Sequence, residues 1–542
     1  MKSKLLLCFI LVFPLIVKAQ CNESTKTEIL LVGDSWAFFM NVDGTINNVA
    51  KDWGHSNVKY YTNLTLSENG AETDDFLKPA KVAELQNQLT SLTDLKAVHL
   101  SIGGNDFLGD WNKDFTQAEV DTLYEGVASR LDSIVDIIHQ ARPDVHVFWS
   151  GYVYTNFKEV IEGTIGPLQS SHPFYSRWQA MGFPNFQEIN TVQNYFQSKI
   201  QSRYVSDSKF TYVPASAMMQ YVFGQSSSLG SAPGGSYPAL TVPLPYGKID
   251  YPSPKNTMRD YGVTKDCFHL SKAGFAAFVS YHFQKFYHKL LMDDAYTVAN
   301  FDNSGSVSKN GVIDSDIIVG KDASDEYAGI ISLDNTHIAD TSIDNLSLYL
   351  KINEISNTNF LSSGDIEVEI VNDKFGNSAT LEAEDFSYPA TASGNVCVFG
   401  NANEGKWVRL ELPSSFLHIV KQSNAQIRIK YTGTADGLIH FSNVSSNDDF
   451  QAILNIKYGL TAATNTVDDI SFDVYPNPAI DILNISSSQT IDYIAIYSID
   501  GKLMTEKSNP SATVSIATLP KGLYFLNIQA GKSSKNLKFI KQ

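Results

Sequence analysis

The chain has 542 residues, 43% of them hydrophobic and 12% aromatic, so it is long enough for about two to four packed domains. Its 41 basic and 58 acidic residues give a formal net charge of −17. A surface of this sign repels nucleic-acid phosphates, and no basic patch interleaved with aromatic residues offsets it. We therefore expect no nucleic-acid partner.

The N-terminal residues have the pattern of a signal peptide. Two lysines precede an apolar run from Leu5 to Val17, and Ala19 lies at the expected cleavage position. We therefore assign residues 1–20 to a signal peptide. Cys21 leaves a lipoprotein as the alternative, although Lys18–Gln20 lacks the small residue expected directly before a lipidated cysteine. No later run reaches the roughly 18 apolar residues of a membrane helix, so we expect no transmembrane segment in the mature chain.

Cysteines are few and scattered. After loss of Cys8 with the signal peptide, Cys21, Cys267 and Cys397 remain. This number allows one disulfide and excludes a disulfide framework.

Residues 26–292 alternate apolar runs with longer helical patterns. The strand-like runs are Glu28–Val32, Lys59–Leu66, Ala97–Ile102, His146–Trp149 and Phe210–Val213. Helical periodicity is clearest at Ala118–Gln140 and Lys272–Leu291. The pattern predicts an α/β domain with a five-stranded parallel sheet covered on both faces. Two long irregular segments, Gly151–Tyr204 and Gln225–Asn256, are expected to border a site.

The remaining sequence has the alternation of β-strands. Residues 296–460 show it in Leu346–Ile352, Asp365–Ile370 and Trp407–Leu412, which predicts an antiparallel β-sandwich or jelly roll. A polar linker, Thr461–Asp469, separates this domain from a small β domain at residues 470–542.

The first predicted strand ends in Gly33-Asp34-Ser35. Ligands of a doubly wound sheet bind at the carboxyl ends of the strands, so Ser35 is placed where a nucleophile would stand. A serine at such a turn also caps helices, which is the structural alternative for Ser35.

Other predicted strand ends carry matching chemistry. Gly70 follows the second strand, where a bare backbone N–H can approach a ligand, and Asn105 follows the third. Asp266 and His269 stand three residues apart on what we expect to be a short loop before the last helix. At that spacing the carboxylate can accept the imidazole Nδ1–H and direct Nε2 at the serine.

These residues resemble the four motif blocks of the SGNH, or GDSL, hydrolase superfamily. The blocks are matched by Gly33-Asp34-Ser35, by Gly70, by Gly103-Gly104-Asn105-Asp106 and by Asp266-Cys267-Phe268-His269. The resemblance covers about half of the chain and implies a three-layer, flavodoxin-like fold.

The resemblance also implies roles. Ser35 would be the nucleophile, His269 the general base and acid, and Asp266 the residue that orients it, with no cofactor. The oxyanion hole would combine the backbone N–H groups of Ser35 and Gly70 with the Asn105 amide. Trp36 replaces the usual leucine or isoleucine and would either shape the acyl pocket or anchor the first helix. No metal-binding pattern stands out in the sequence, and Cys267 is interpreted as a packing residue.

The C-terminal domain resembles the sorting domain of type IX secretion cargo. The resemblance rests on Tyr475–Pro478, Ile499–Lys502, Leu519–Tyr524 and a basic last strand with Lys538 and Lys541. It implies the type IX machinery as a partner, with passage through the periplasm and across the outer membrane to the surface or the medium. The middle domain resembles jelly-roll modules of secreted carbohydrate-active proteins, which leaves glycan binding and simple packing against the hydrolase domain both open.

Two functions follow from the sequence. The first is a secreted serine esterase that cleaves acyl esters, either O-acetyl groups of a polysaccharide or lipid esters. The second is a surface adhesin or glycan-binding protein with an inactive hydrolase-like domain. A complete set of Ser35, His269, Asp266 and Asn105 favours the esterase.

Overall fold

The computed structural model describes residues 23–542 except 165, 226–228, 230–235, 340, 357–359, 362–365, 422, 445–447, 460–471, 488–489, 499–501 and 531–532. The predicted signal peptide, Cys21, the linker at 461–469 and part of the Ile499–Lys502 motif lie outside the described residues. The chain divides into two compact units between Tyr458 and Gly459.

The first unit begins with a parallel sheet. Its strands are β1 (Lys26–Gly33), β2 (Val58–Tyr61), β3 (Ala97–Ser101), β4 (His146–Trp149) and β5 (Phe210–Tyr212). They are hydrogen-bonded in the order β2-β1-β3-β4-β5 and all pairs are parallel, so the predicted five-stranded parallel sheet is confirmed. The second strand ends earlier than predicted, because the Asn63 side chain accepts the N–H groups of Thr65 and Leu66 and turns the chain.

Helices surround this sheet. They are α1 (Ser35–Val42), α2 (Thr45–Asp52), α3 (Pro79–Ser91), α4 (Gly104–Asp110), α5 (Gln117–Ala141), α6 (Phe157–Glu162), α7 (Tyr175–Ala180), α8 (Phe186–Arg203), α9 (Met218–Gly224), α10 (Lys272–His282) and α11 (His288–Leu290). The predicted helix over Lys272–Leu291 is divided by a π-helical turn at Phe283–Tyr287.

Alternate residues of β1 point into two different cores. Leu30 and Val32 pack with side chains of α3, α5 and α8, whereas Ile29 and Leu31 pack with side chains of α1, α2 and α10. The sheet is therefore the middle of three layers, and the nearly continuous apolar character of β1 follows from its burial on both faces.

A hairpin lies before α10. It consists of β6 (Met258–Tyr261) and β7 (Thr264–Leu270), which pair antiparallel with a register shift between Met258 and Asp260.

The rest of the first unit is antiparallel. Its strands are β8 (Ala295–Val298), β9 (Gly305–Ser308), β10 (Ile313–Asp314), β11 (Ile317–Lys321), β12 (Glu326–Asp334), β13 (Ile343–Ile355), β14 (Ile366–Asn372), β15 (Ala392–Asn395), β16 (Cys397–Gly400), β17 (Trp407–Glu411), β18 (Asn424–Tyr431), β19 (Gly437–Phe441) and β20 (Ile453–Tyr458). The long strand β13 pairs with β17 and β20 along its first part and with β19 at its end, so it joins two sheets around one apolar core. The predicted β-sandwich is confirmed, and Cys397 in β16 is disulfide-bonded.

The α/β part and the β-sandwich share a core. Trp53, just after α2, stacks on Trp407 of β17 with ring centres 5.5 Å apart and an angle of 21° between the planes. Polar contacts surround this pair: Asp52 accepts hydrogen bonds from the Asn401 amide at 2.7 Å and from Lys406 Nζ at 2.8 Å. The shared core makes these two parts one compact unit.

The second unit is a small β domain. Its strands are β21 (Phe472–Tyr475), β22 (Ile482–Ser487), β23 (Tyr493–Ser498), β24 (Leu503–Ser508), β25 (Thr513–Ser515), β26 (Gly522–Ala530) and β27 (Ser533–Lys541). They form a three-stranded sheet β21-β22-β25 and a four-stranded sheet β24-β23-β26-β27 around a core of its own. Across both units, the described helices include none with the length and apolar character needed to span a membrane.

Candidate active site

The turn from β1 to α1 is held in a fixed shape by its backbone. A Cβ atom at Gly33 would lie 1.8 Å from the carbonyl oxygen of Ser101, so only glycine fits there. Asp34 follows and is the N-cap of α1, because its Oδ1 accepts the Trp36 N–H at 2.9 Å. The capping role therefore belongs to Asp34, and Ser35 is the first residue of the helix with its hydroxyl free for other contacts.

Ser35, His269 and Asp266 lie together at the carboxyl edge of the sheet. Ser35 Oγ is 2.6 Å from His269 Nε2, and His269 Nδ1 is 2.8 Å from Asp266 Oδ2. The other carboxylate oxygen, Asp266 Oδ1, accepts the backbone N–H groups of Phe268 and His269, each at 2.9 Å. Both ends of the carboxylate are thus fixed, and the imidazole is fixed with them.

The expectation that Asp266 and His269 lie on a loop was wrong. Both are in β7, which is paired with β6. The physical reason is the irregular register of this hairpin, which leaves part of β7 without pairing partners in β6. The Asp266 side chain takes their place by accepting the N–H groups of Phe268 and His269. Asp266 and His269 lie in the bulge of this hairpin, between the pairs Lys265–Asp260 and Leu270–Met258 that hold its two ends.

The predicted oxyanion donors lie on neighbouring loops. Asn105 is in the first turn of α4, and its Nδ2 donates to the carbonyl oxygen of Ala71 at 2.9 Å. Gly70 precedes Ala71, is exposed, and has a φ of 86°. Among the described residues, neither the Ser35 nor the Gly70 backbone N–H donates a hydrogen bond to another group. Both N–H groups can therefore receive an acceptor from a ligand.

An ion pair with a buried carboxylate joins the segments that carry Thr73 and Asn105. Asp106, next to Asn105, is almost fully buried and accepts the Thr73 N–H at 3.0 Å and its hydroxyl at 2.5 Å. Arg130 of α5 donates to the same carboxylate at 2.8 Å and to the Thr73 hydroxyl at 2.6 Å. The sequence analysis missed Arg130, although a cation within a helix of apolar periodicity was a usable signal.

Tyr152 was also missed as a site residue. Its hydroxyl donates to Asp34 Oδ2 at 2.6 Å and accepts the Gly104 N–H at 3.0 Å, so it connects the serine turn to the Asn105 helix. Burial raises the pKa of Asp34 to about 6, an effect that the Tyr152 hydrogen bond opposes. Burial also raises the pKa of the Tyr152 hydroxyl well above its usual value. The available signal was the aromatic segment that begins at Gly151.

Trp36 serves as an anchor for α1. It is 2% exposed and makes edge-to-face contacts with Tyr152, Phe275 and Phe278, whose ring centres lie 5.0–5.4 Å away. It also contributes to the wall of a cavity beside Ser35. The anchoring contacts stated as one alternative for Trp36 are thus present, whereas its role in shaping an acyl pocket stays a prediction.

Cys267 and possible metal ligands complete the survey of reactive groups. Cys267, which lies between Asp266 and Phe268 in the sequence, is a free cysteine and is fully buried. Burial raises the pKa of its thiol well above the ordinary value. That shift disfavours the thiolate, which is the nucleophilic form. Within the described ranges, no group of three or more His, Cys, Asp or Glu side chains is arranged to hold a metal ion.

Residues 473–542 match the family model described as the secretion system C-terminal sorting domain. This match confirms the sorting domain predicted from the sequence and indicates export by the type IX system to the cell surface or the medium. No curated protein gives a significant match to the chain.

Solved structures that resemble the chain include several ester hydrolases. A family 3 carbohydrate esterase of Clostridium thermocellum is 15% identical, with 49% of this chain and 98% of that chain covered and a TM-score of 0.26. A phospholipase A1 of Streptomyces albidoflavus NA297 is 17% identical, with 48% and 99% covered and a TM-score of 0.27. A carbohydrate esterase family 3 protein of Talaromyces cellulolyticus is 13% identical, with 49% and 98% covered and a TM-score of 0.25. TM-scores this low carry no argument about the activity of this chain.

Proposed function

We propose that the chain is an exported serine hydrolase of acyl esters, of the SGNH type. The observation that carries the proposal is the continuous contact from Ser35 Oγ to His269 Nε2 at 2.6 Å and from His269 Nδ1 to Asp266 Oδ2 at 2.8 Å. A serine hydroxyl is a weak nucleophile until a base takes its proton, and this contact provides that base together with a carboxylate that orients it.

The first half of the reaction forms an acyl-enzyme. Ser35 Oγ attacks the ester carbonyl carbon while His269 Nε2 takes the hydroxyl proton, and the Asp266 carboxylate stabilises the resulting imidazolium. The carbonyl oxygen becomes an oxyanion that accepts hydrogen bonds from the N–H groups of Ser35 and Gly70 and from the Asn105 amide. Collapse of this intermediate breaks the ester C–O bond, and His269 gives its proton to the departing alcohol.

The second half regenerates the enzyme. Water replaces the alcohol, loses a proton to His269 and attacks the acyl carbon, and the acid leaves as Ser35 recovers its proton. No step requires a metal or a redox cofactor. The sorting domain at residues 473–542 supports export of the enzyme, so we propose that it passes through the periplasm and acts outside the cell, either released or attached at the surface.

The test is a Ser35→Ala variant compared with the parent on acetyl and butyryl esters. We expect the variant to lose at least about 10³-fold in kcat, because the nucleophile is absent. A fluorophosphonate probe, which phosphonylates activated serines, should label the parent once and the variant not at all.

Ser101→Ala is the matched control. Ser101 ends β3 at the same edge of the sheet and is equally buried, but its hydroxyl makes no hydrogen bond to another described residue. We expect it to keep parental labelling and hydrolysis. Parental turnover in a folded Ser35→Ala preparation, or no labelling of the parent, would favour the non-catalytic adhesin over the esterase.

A further inference from the structure

A narrow cavity extends inward from Ser35. It has a volume of about 70 Å³, and its walls include Ser35 and Asn105 at one end. The inner walls are formed by six buried apolar side chains, Phe107, Leu108, Val127, Leu131, Phe196 and Ile200. The cavity therefore begins at the proposed nucleophile and continues into the apolar core between α4, α5 and α8.

The position of the cavity relative to His269 determines which half of an ester it can receive. In the proposed reaction His269 protonates the leaving oxygen, so the alcohol must lie on the His269 side of Ser35. Ser35, Asn105 and Phe268, the neighbour of His269, line the cavity, but His269 itself does not, and the deeper walls come from α4, α5 and α8 instead of β7. The cavity is therefore assigned to the acyl side of the reacting carbon.

The inner end can be located along the two helices. A Cβ at Gly103 would lie 3.4 Å from Val127 Cγ1, so Val127 is beside the Asn105 loop, and Leu131 is one helical turn, about 6 Å, further along α5. On α8, Gln193 donates to the carbonyl oxygens of Tyr152 and Val153 next to the site, and Ile200 is about 10 Å beyond it. Leu131 and Ile200 therefore close the end that is farthest from Ser35.

Polar atoms in the wall lie near the entrance. Gln193 Oε1 and Thr155 Oγ1 are buried and have no hydrogen-bond partner among the described residues. Gln193 is held beside Tyr152, and Thr155 precedes Asn156, whose N–H donates to the Cys267 carbonyl oxygen in β7. Gln197, less than one turn before Ile200, also lines the cavity, but its amide is occupied by hydrogen bonds with the Tyr152 carbonyl oxygen and the Tyr212 hydroxyl. The side chains of Leu131 and Ile200 at the far end are hydrocarbon, which suits a terminal methyl group and not a hydroxyl or carboxylate.

The volume limits the chain that fits. A dry protein cavity of about 150 Å³ accommodates benzene, which has six carbons. By that scale the 70 Å³ cavity holds about three carbons beyond the reacting carbonyl. Longer or branched chains would require displacement of packed core side chains, which is unfavourable.

We propose that this cavity is the acyl pocket, that it admits unbranched acyl groups of about two to four carbons, and that Leu131 and Ile200 set the upper limit. The proposal rests on the proposed ester hydrolysis and specifies its substrate class. Acetyl, propionyl and butyryl esters are then substrates, and fatty-acyl lipids are not.

The experiment measures kcat/KM for acetyl, butyryl, hexanoyl, octanoyl and pivaloyl esters of one alcohol. The parent should cleave the hexanoyl, octanoyl and pivaloyl esters at least about tenfold less efficiently than the acetyl ester. Leu131→Ala and Ile200→Ala should each raise the hexanoyl-to-acetyl ratio at least about tenfold, because truncation lengthens the cavity. Because both esters are measured with the same enzyme preparation, a reduced amount of folded protein lowers both kcat/KM values equally and leaves their ratio unchanged.

Ile137→Ala is the matched control on α5, since Ile137 is half-buried against the same core but does not line the cavity. It should keep the parental ratio. A flat chain-length profile in the parent, or unchanged ratios in both truncated variants, would overturn the acyl pocket while leaving the esterase intact. Failure to cleave any of the esters would overturn the esterase and the pocket together.

Discussion

Asn105 has a side-chain amide with two N–H groups, and Ala71 accepts only one of them, at 2.9 Å. This bond fixes the amide, so the second N–H has a constant direction. We predict that Asn105→Ala lowers kcat by about 10²–10³ with a smaller change in KM, because an oxyanion donor acts mainly in the transition state.

The control is Asn112→Ala, which removes the same kind of bond, from Asn112 Nδ2 to the Ala180 carbonyl oxygen at 2.8 Å, at an exposed position. It should keep parental kcat. An Asn105→Ala enzyme within about threefold of the parent would remove this amide from the oxyanion hole.

Asp34 gives a pH-dependent prediction. Its pKa is about 6 in the folded chain against an ordinary 3.8, so the folded state holds the proton more tightly than the unfolded state. Below about pH 4, Asp34 is protonated in both the folded and the unfolded chain and does not change the free energy of unfolding. As the pH rises past 6, ionisation of the buried carboxyl lowers the free energy of unfolding by about 3 kcal/mol. Relative to the parent, Asp34→Asn should gain about that much stability between pH 4 and pH 7, measured by urea unfolding of the first unit.

Asp144→Asn is the control of opposite sign. Asp144 is exposed, and its hydrogen bond with Arg142 lowers the pKa of its carboxyl, so its stabilising effect appears as the pH rises. Its variant should lose a little stability relative to the parent over the same range. Parallel curves for Asp34→Asn and the parent would contradict the proposed cost of burying Asp34.

The sequence could predict that Ser35, His269 and Asp266 act together because they fall in two recognisable motifs, Gly33-Asp34-Ser35 and Asp266-Cys267-Phe268-His269. Tyr152 and Arg130 were not predictable in the same way. Tyr152 meets Asp34 across 118 positions of sequence, and only the folded chain shows which aromatic side chain of its segment reaches the carboxylate.

At the scale of elements, the Arg130 side chain of α5 connects the segments that carry the proposed oxyanion donors Gly70 and Asn105. Arg130→Met would leave the buried Asp106 carboxylate without its cation while keeping the hydrocarbon part of the side chain. We predict a loss of about 1–3 kcal/mol in the free energy of unfolding. Because Thr73 and Asn105 then lose a shared support, kcat should also fall about tenfold, measured together with urea unfolding.

Arg203→Met is the control for this element. Arg203 on α8 also pairs with an acid, Asp132 of α5, at 2.6 Å, but both side chains are about one-third exposed. A pair of that kind contributes about 0–1 kcal/mol, and the variant should keep parental kcat. Equal effects of the two substitutions would show that Arg130 has no special role in supporting the site.

Periodicity predicted the elements of the parallel sheet well and the β6–β7 hairpin poorly. Strand β4 begins and ends where the sequence placed it, at His146 and Trp149, because its apolar residues are buried on both faces. Strand β7 escaped prediction because its Asp266-Cys267-Phe268-His269 segment mixes charged and apolar residues without a regular period. Its strand conformation depends on pairing with β6 in a bulged hairpin, whose irregular register leaves no regular alternation in the sequence.

At the scale of the whole molecule, the sorting domain and the proposed chemistry are separable. A chain ending at Tyr458 keeps every proposed catalytic residue and the whole first unit. We predict parental ester hydrolysis by this truncated protein but no export, measured by comparing cell-surface, medium and periplasmic fractions. Normal amounts of the truncated protein at the surface or in the medium would contradict the sorting function of residues 473–542.

The β-sandwich, by contrast, is not separable from the α/β part. A chain ending at Met292 would expose Trp53 and other side chains that share a core with Trp407. A tryptophan carries about 200 Å² of surface, so exposure of this one ring costs up to about 5 kcal/mol. We predict that this shorter protein is aggregated or unfolded by circular dichroism, whereas the chain ending at Tyr458 melts cooperatively. A soluble, cooperatively folded 23–292 fragment would contradict the prediction.

The sequence indicated a domain boundary near residue 295 but not this mutual dependence. Trp53 lies at the end of an ordinary amphipathic helix, and Trp407 in an ordinary alternating strand, so neither local pattern identifies its partner 354 positions away.

The stacked Trp53 and Trp407 rings also bear on how such a chain can be recombined. Exchange of the sandwich for a foreign carbohydrate-binding module would leave Trp53, and the Asp52 carboxylate beside it, facing a surface that did not evolve against them. The α/β part and the sandwich are therefore expected to be inherited together. A gene fusion that separates them must either keep both Trp53 and Trp407 or supply a new contact for the exposed indole. The sorting domain packs around a core of its own, so we expect that it can be moved to new cargo as an independent cassette.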